Sequence, residues 1–198
     1  MPHIRPFRPG DEPALAEICL RTADAGADAT GILVDDDLWA AVFVLPYVAR
    51  HPDLAFVALT DDGRVAGYVV GTDDTRAFED WFATEWWPRF AQRWPRPVAA
   101  VTRQDGILTY ASGRRAGAEP FGDSYPAHLH IDLLPELQGQ GLGRELIETL
   151  IAALQARGVT GLHLAADVRN TGAIAFYPRL GFTRIPSHDD VVAFAREL

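Results

Sequence analysis

The amino-acid sequence predicts an α/β domain with a sizeable core and an inserted segment, on three observations. Short apolar runs bounded by turn residues alternate along the chain with segments whose apolar residues recur at helical spacing. The length, 198 residues, suits one core and is short for two. Hydrophobic residues make up 48% and charged residues 23%, inside the globular range, and no apolar run approaches the roughly 18 residues of a membrane span. The expectation is a single domain over residues 1–198.

The elements follow in order. HIRPFR, His3 to Arg8, reads as a strand, and a helix opens over Glu12–Ala25, with Asp11 placed to cap it and Pro13 tolerated in its first turn. A second helix is expected over Asp36–Arg50, its acidic first turn suiting the positive end of the dipole and Pro46 bending or shortening it. Leu54–Thr72 reads as two strands joined at Asp61-Asp62-Gly63, hence antiparallel neighbours. From Thr72 to Pro126 the pattern is less regular, with a helix over Ala77–Trp94 and a loop over Gly113–Pro126. A connection this long inside a compact domain is functional or an inserted element. A strand over Ala127–Leu134 leads through QGQGLG into a helix over Gly141–Arg157. That helix carries Leu142, Leu146, Ile147, Leu150, Ile151 and Leu154 on one face, and Gly158 stands where a C-cap glycine belongs. A strand over Thr160–Asp167, a short helix capped by Asn170, a turn at GFTRIP into another strand, and a final strand over Val191–Leu198 complete the chain.

All 18 basic residues are arginine, set against 27 acidic ones, for a net charge of −9. That field repels a phosphate-covered polymer, which argues against nucleic acid, and tolerates a cationic or amine-bearing ligand. It also leaves the chain without a lysine side chain to be acylated. The single cysteine, Cys19, excludes an internal disulfide and sits in a helix pattern, pointing to a buried apolar role and a reducing cytoplasm. The opening MPHIRPFRPGDEP lacks the apolar stretch of a signal peptide and reads as the start of the fold. Neither a membrane partner nor a metal is expected.

Glycines 139, 141 and 143 stand within five positions at a strand-to-helix turn, where they free the backbone to approach a ligand and make an anion site. A Walker phosphate loop needs a lysine, which the chain lacks. The dinucleotide pattern G-x-G-x-x-G puts Arg144 where its third glycine belongs. A tight turn alone would explain one or two of the glycines. Gln138-x-x-Gly141-x-Gly143 instead resembles the acyl-CoA pyrophosphate loop, Q/R-x-x-G-x-G/A, of the GNAT superfamily of N-acetyltransferases. A second signature resembles the same superfamily about 27 residues beyond Gly143, carried by Asn170, Ala173, Tyr177, Gly181 and Phe182. IRPFRPGDEPALAEI and GRVAGYVVG are similar to its opening strand and helix and to its third strand, and the segment 72–126 lies outside the resemblance.

The resemblance implies a GNAT fold: a mixed central sheet of about six to seven strands with helices on both faces and an insertion, 72–126, between the third and fourth strands. It implies acetyl-CoA as acetyl donor in a cleft between two splayed strands. The pyrophosphate would lie on the N–H groups of Gly139, Gln140, Gly141, Leu142, Gly143 and Arg144, beside Gln138 and Asn170, with the backbone of Leu133 and Leu134 paired to pantetheine. Arg144 either adds a cation there or is a solvated surface residue. A primary amine, on a small molecule or on a peptide or protein, would attack the thioester directly in a ternary complex, which needs a base, oxyanion donors and an acid.

Tyr177 holds the position of the acid in that superfamily, and a phenol with a pKa of about 10 is protonated at neutral pH. The alternative is a tyrosine packed on the sheet, and Pro178 opposes continuation of the helix, which could displace the hydroxyl. For the base, His128, His130 and Asp132 share one face of a strand. They resemble the two-histidine strand of arylalkylamine N-acetyltransferases, one residue nearer Gln138 here, a difference that a bulge could absorb. His130 and Asp132 stand level as base, and a purely structural hydrogen-bonded set is the alternative. Trp81, Trp86 and Trp87, with Trp94, either wall an acceptor pocket or pack an added helix on the core or against a second copy in a homodimer. SYPAHLHIDLLPE is also similar to bacterial proteins related to the acetyltransferase-like domain of O-GlcNAcase. That likeness keeps open a second reading, a non-catalytic acetyl-CoA-binding interaction domain.

Overall fold

Seven strands form one mixed sheet in the computed structural model, which describes residues 1–198. They are β1 (His3–Pro6), β2 (Ala55–Leu59), β3 (Val65–Thr72), β4 (Ala127–Leu133), β5 (Gly161–Asp167), β6 (Thr183–Ile185) and β7 (Val191–Glu197), arranged β1-β2-β3-β4-β5-β7-β6. Every neighbouring pair is antiparallel except β4 and β5. The β2–β3 hairpin turns where the sequence places it: Gly63 adopts φ +84°, and Thr60 N–H donates to Arg64 O at 2.9 Å. The decisive feature is the parallel pair. β4 and β5 are in register only at Ala127–Leu162 and His128–His163, and beyond that point the two strands part.

Helices cover both faces. α6 (Leu142–Ala156) buries Leu142, Leu146, Ile147, Leu150, Ile151 and Leu154, the stripe read from the sequence. Gly71 of β3 is the close approach beneath it: a Cβ there would stand 3.1 Å from Leu150 Cδ2 and 3.1 Å from His128 O. On the opposite face lie α1 (Glu12–Thr22), α2 (Asp37–Phe43) and α3 (Leu45–Arg50). α2 and α3 are the expected single helix broken at Val44, whose φ of −136° leaves helical geometry two residues before Pro46 opens the second piece. Asp11 does occupy the residue before α1, yet its side chain makes no cap bond. Arg5 draws it away with two charge-assisted hydrogen bonds of 2.7 and 2.8 Å, and Arg8 N–H adds a third of 2.8 Å.

The segment between β3 and β4 is helical for much of its length. α4 (Thr75–Trp81) is capped by Asp74, which accepts from Ala77 N–H at 3.0 Å, and it runs on through a π turn (Phe82–Trp86) and a 3-10 turn (Trp87–Phe90) where Pro88 removes a donor. α5 (Arg103–Gly113) is absent from the sequence-based expectation. Gly106, Thr109, Ser112 and Gly113 thin its apolar periodicity, although its Thr102-x-x-Asp105 start is a capping box, with Thr102 Oγ1 accepting from Asp105 N–H at 3.1 Å and Asp105 accepting from Thr102 N–H at 2.9 Å. The two ends of the segment meet at Thr75, whose N–H and hydroxyl both lie 2.7 Å from Pro126 O. Thr102→Ala, which removes one half of the capping box, is expected to destabilise the fold by about 1 kcal/mol, read from the denaturant midpoint, with Thr102→Ser close to the parent.

Candidate active site

Where β4 and β5 part, a cavity of about 700 Å³ opens, lined by Thr22, Ala25 and Gly26 after α1, Ile131, Asp132 and Leu133 of β4, the glycine loop, and Asn170 to Arg179. Its floor is built by two different uses of glycine. Gly139 (φ +74°) and Gly141 (φ +85°) hold left-handed backbone with open space around a would-be Cβ, so the conformation, and not crowding, requires them. Gly143 serves packing, because a Cβ there would stand 3.3 Å from Phe176 Cζ. The first N–H groups of α6, those of Leu142, Gly143 and Arg144, lack intrahelical partners and emerge at the positive end of a 15-residue helix. Gln138 turns its side-chain amide back to Leu133 O at 2.9 Å, and Gln140 does the same to Glu136 O at 2.5 Å.

The exposed edge of β4 follows from ladder parity. Leu134 N–H donates to Ala66 O at 2.9 Å, so Leu133 and Ile131 direct their backbone groups away from β3 and into the gap. Leu134 is therefore not available for ligand pairing as expected: its N–H is held by β3, and its carbonyl accepts from Leu137 N–H at 3.0 Å. Ile131 and Leu133 are the residues that face the opening. The β3–β4 register from 67 to 72 against 128 to 133 runs without a shift, so no bulge adjusts the spacing of the two histidines from the loop.

Tyr177 begins a 3-10 turn (Tyr177–Leu180) after α7 (Thr171–Phe176), so Pro178 does end the α-helical geometry, yet the residue still lines the cavity. Its ring is clamped between Phe176 at 5.6 Å, Phe182 at 5.9 Å and Phe194 at 5.3 Å, while its hydroxyl bonds to no protein group. Burial first, and the charge of Asp132 second, hold the phenol well above its usual range, so it remains protonated. Asn170 accepts from Ala173 N–H at 3.0 Å, capping α7 as the sequence predicts, and borders the turn at Ala25 and Gly26. That turn runs through φ +54° at Ala25 and +91° at Gly26, the geometry of a type I′ hairpin turn between Asp24 and Ala27.

His128, His130 and Asp132 share one face of β4, in three different settings. His128 is buried, with Tyr47 Oη at 2.7 Å from Nε2 and Thr75 Oγ1 at 2.8 Å from Nδ1. His130 meets the same phenol through Nε2 at 3.1 Å. Burial, then the Arg114 guanidinium, push His130 down to about 3, and burial and Arg114 hold His128 well below the usual imidazole range. Neither ring reaches the cavity wall; Asp132 does. It accepts a hydrogen bond from the Tyr68 hydroxyl, and burial pushes its carboxyl up to about 6.

The tryptophans do not wall this cavity. Trp86 and Trp87 are each 8% exposed, Trp86 gives its indole N–H to Ala41 O at 2.9 Å, and Trp87 stacks with Phe82 and Trp94 at 5.8 and 6.0 Å. Trp81 lies under the Arg50 guanidinium at 5.1 Å. They form an aromatic stack inside the 72–126 segment, because large rings gain more from mutual packing than from lining a wet cleft. Residues the sequence did not single out take their place at the site. Arg179 borders the glycine loop beside Arg144, Tyr68 holds Asp132, and Tyr47 and Arg114 organise the histidines. Only the Asp24-Ala25-Gly26-Ala27 turn carried a local signal, its glycine.

The arrangement agrees with what comparison with other proteins gives. The crystal structure of SsHAT superposes with a TM-score of 0.94 at 42% identity, covering 99% of this chain and 98% of that one. Protein O-GlcNAcase of Rattus norvegicus is 23% identical over 98% of this chain, which spans 22% of that protein. Mycothiol acetyltransferase of Streptomyces griseus subsp. griseus is 28% identical over 87% of this chain, which spans 45% of it. The chain thus covers about a fifth and under half of these two relatives. The model of the acetyltransferase (GNAT) family matches residues 27–182, taking in β2 to β5, the glycine loop and Tyr177. With that match, and with the mixed sheet split between β4 and β5, the chain belongs to the GNAT acetyltransferase family.

Proposed function

We propose that this chain is an acetyl-CoA-dependent N-acetyltransferase that moves an acetyl group onto a primary amine by direct attack in a ternary complex. The observation that carries this reading is that a protonated phenol, Tyr177, and a carboxyl group tuned to about 6, Asp132, open into the same cavity as the glycine loop. Residues 1–198 act as one domain in this reading, with 72–126 as a supporting insertion.

The donor set suits acetyl-CoA. Left-handed Gly139 and Gly141 and the free N–H groups at the start of α6 suit a pyrophosphate, with Arg144 and Arg179 as nearby cations. The edge at Ile131 and Leu133, where the Gln138 amide covers the Leu133 carbonyl, suits the amides of pantetheine, and about 700 Å³ lies in the range of a ligand site. When bound, the thioester supplies the activated acetyl carbon.

The base is Asp132. A general base works best with a pKa near the working pH, and Asp132 at about 6 meets that condition better than His130 at about 3. Asp132 accepts a proton from the ammonium of the acceptor, and the freed nitrogen attacks. Backbone N–H groups facing the gap from β4 stabilise the negative charge that develops on oxygen. Tyr177 gives its proton to the departing thiolate. The second proton on nitrogen leaves as the amide forms, so each turnover releases one proton net. The likeness to mycothiol acetyltransferases supports a small-molecule amine as acceptor.

Three outcomes test the reading, with a thiol-release assay over a panel of amines as the activity measurement. Tyr177→Phe is expected to keep acetyl-CoA affinity by calorimetry and to lower kcat by roughly 10²- to 10⁴-fold; unchanged turnover removes the assignment. In the parent, kcat/KM is expected to fall about tenfold per pH unit below about pH 6, because protonated Asp132 accepts no proton, and Asp132→Asn should lose that limb together with most activity. Gly141→Val, forced to φ +85°, is expected to weaken acetyl-CoA binding by at least about tenfold, and equal binding by the variant counts against the loop as the cradle.

A further inference from the structure

Arg114, just beyond α5, carries a buried charge with no carboxylate in direct contact, although the buried Glu79 acts on it from further away. It is 6% exposed, it joins no ion pair, and its Nε has no hydrogen-bond partner. The guanidinium lies over the rings of Phe78 and Phe82, each at 4.9 Å, with Tyr110 at 5.7 Å. Its polar contacts are Tyr47 Oη at 3.3 Å and His128 Nε2 at 3.4 Å, both from Nη2. A buried cation held by π faces and two neutral acceptors is costly, and the acceptors it chooses are those behind the β4 site.

The protons in that cluster can be placed one by one. Pro126 O only accepts, so the Thr75 hydroxyl, 2.7 Å away, donates to it. The Thr75 oxygen is then an acceptor for His128 Nδ1 at 2.8 Å, which must carry hydrogen. His128 Nε2 is left bare and takes the Tyr47 proton across 2.7 Å. With that proton committed, Tyr47 Oη can only accept from His130 Nε2 at 3.1 Å and from Arg114. His130 therefore carries hydrogen on Nε2 and a bare lone pair on Nδ1, which bonds to no protein group.

We infer that Arg114 is a positioning residue for the reaction: donating to Tyr47 and standing 3.4 Å from His128 Nε2, it closes this hydrogen-bond chain in one proton arrangement, with both imidazoles neutral and His130 Nδ1 presented as an acceptor. The inference deepens, and rests on, the assignment of Asp132 as the base, since rings barred from taking charge leave the proton to the carboxylate. The groups facing the two histidines are Phe43 from α2, Tyr47 from α3, Thr75 and Phe78 from α4, Arg114 and His163. His51 adds a weaker repulsion to His128, and Glu119 approaches His163, at 3.9 Å from its Nε2. Arg114 is thus the permanent cation among these neighbours, and it opposes protonation of both rings.

The test is long-range ¹H–¹⁵N spectroscopy of the imidazoles across about pH 5 to 8, assigned with His128→Gln and His130→Gln. In the parent, His128 is expected as the Nδ1–H tautomer and His130 as the Nε2–H tautomer, neither titrating; the opposite tautomer at either ring, or a charged ring near pH 6, overturns the inference. In Arg114→Met the imidazole signals should move and protonation of at least one ring should set in at higher pH than in the parent, burial still opposing it, while Arg114→Lys stays with the parent. An Arg114→Met protein with the parent spectrum overturns it. Tyr47→Phe leaves the charge in place and removes the bridge. It should release His130 from its single tautomer with both rings still uncharged, and an unchanged His130 tautomer counts equally against the inference should Arg114→Met not fold. These spectra need no turnover, so they stand apart from a failure of Asp132, which would show as a retained acidic limb in Asp132→Asn.

Discussion

The constraint on which this molecule depends is the parting of two parallel strands after only two residue pairs. A parallel pair that continued would satisfy β4 and β5 against each other and leave no backbone free inside the sheet. Because they separate beyond His128 and His163, Ile131 and Leu133 turn backbone groups into the gap without a strand partner there, and the start of α6 comes to lie at the mouth of the opening. Unpaired backbone groups in such a place are costly unless a ligand or water answers them. The glycine loop, the Asn170 cap and the aromatic clamp around Tyr177 all hold that opening in shape.

One strand then carries three titratable groups in three electrostatic settings. Asp132, at the cavity wall, is raised by burial and tempered by the Tyr68 hydroxyl. His130 and His128, one and two steps further from the wall along the same face, are pushed toward neutrality by burial and by a guanidinium delivered from outside the sheet. The period-2 geometry of a strand places them side by side, and burial together with Tyr68 of β3, Tyr47 of α3 and Arg114 beyond α5 makes them unequal.

Most of the site's backbone was legible in the sequence, and little of its electrostatics was. The glycine loop, the α6 stripe, the Asn170 cap and the β2–β3 turn are local, and each is written in a few adjacent residues. His130 and Asp132 stood level in the sequence because the difference between them comes from burial, from Arg114 beside His130 and from Tyr68, 64 residues from Asp132. Leu134 was misread for a related reason: which of two adjacent leucines faces the gap is decided by pairing with β3, which the strand's own sequence does not record. The tryptophans stayed open between two readings because aromatic clusters look alike in sequence whether they line a pocket or pack on one another, and the packed arrangement is the one found; α5 escaped because its stability lies in its cap and its packing and not in its periodicity.

The meeting of both ends of the 72–126 segment at Thr75 and Pro126 has a consequence for β4. Topologically, a segment that leaves and returns at one point adds no strand to the sheet. Chemically it is tied to the sheet, because Thr75 at its entrance and Arg114 near its exit both contact His128. The electrostatic setting of β4 therefore depends on a segment that contributes nothing to the sheet itself.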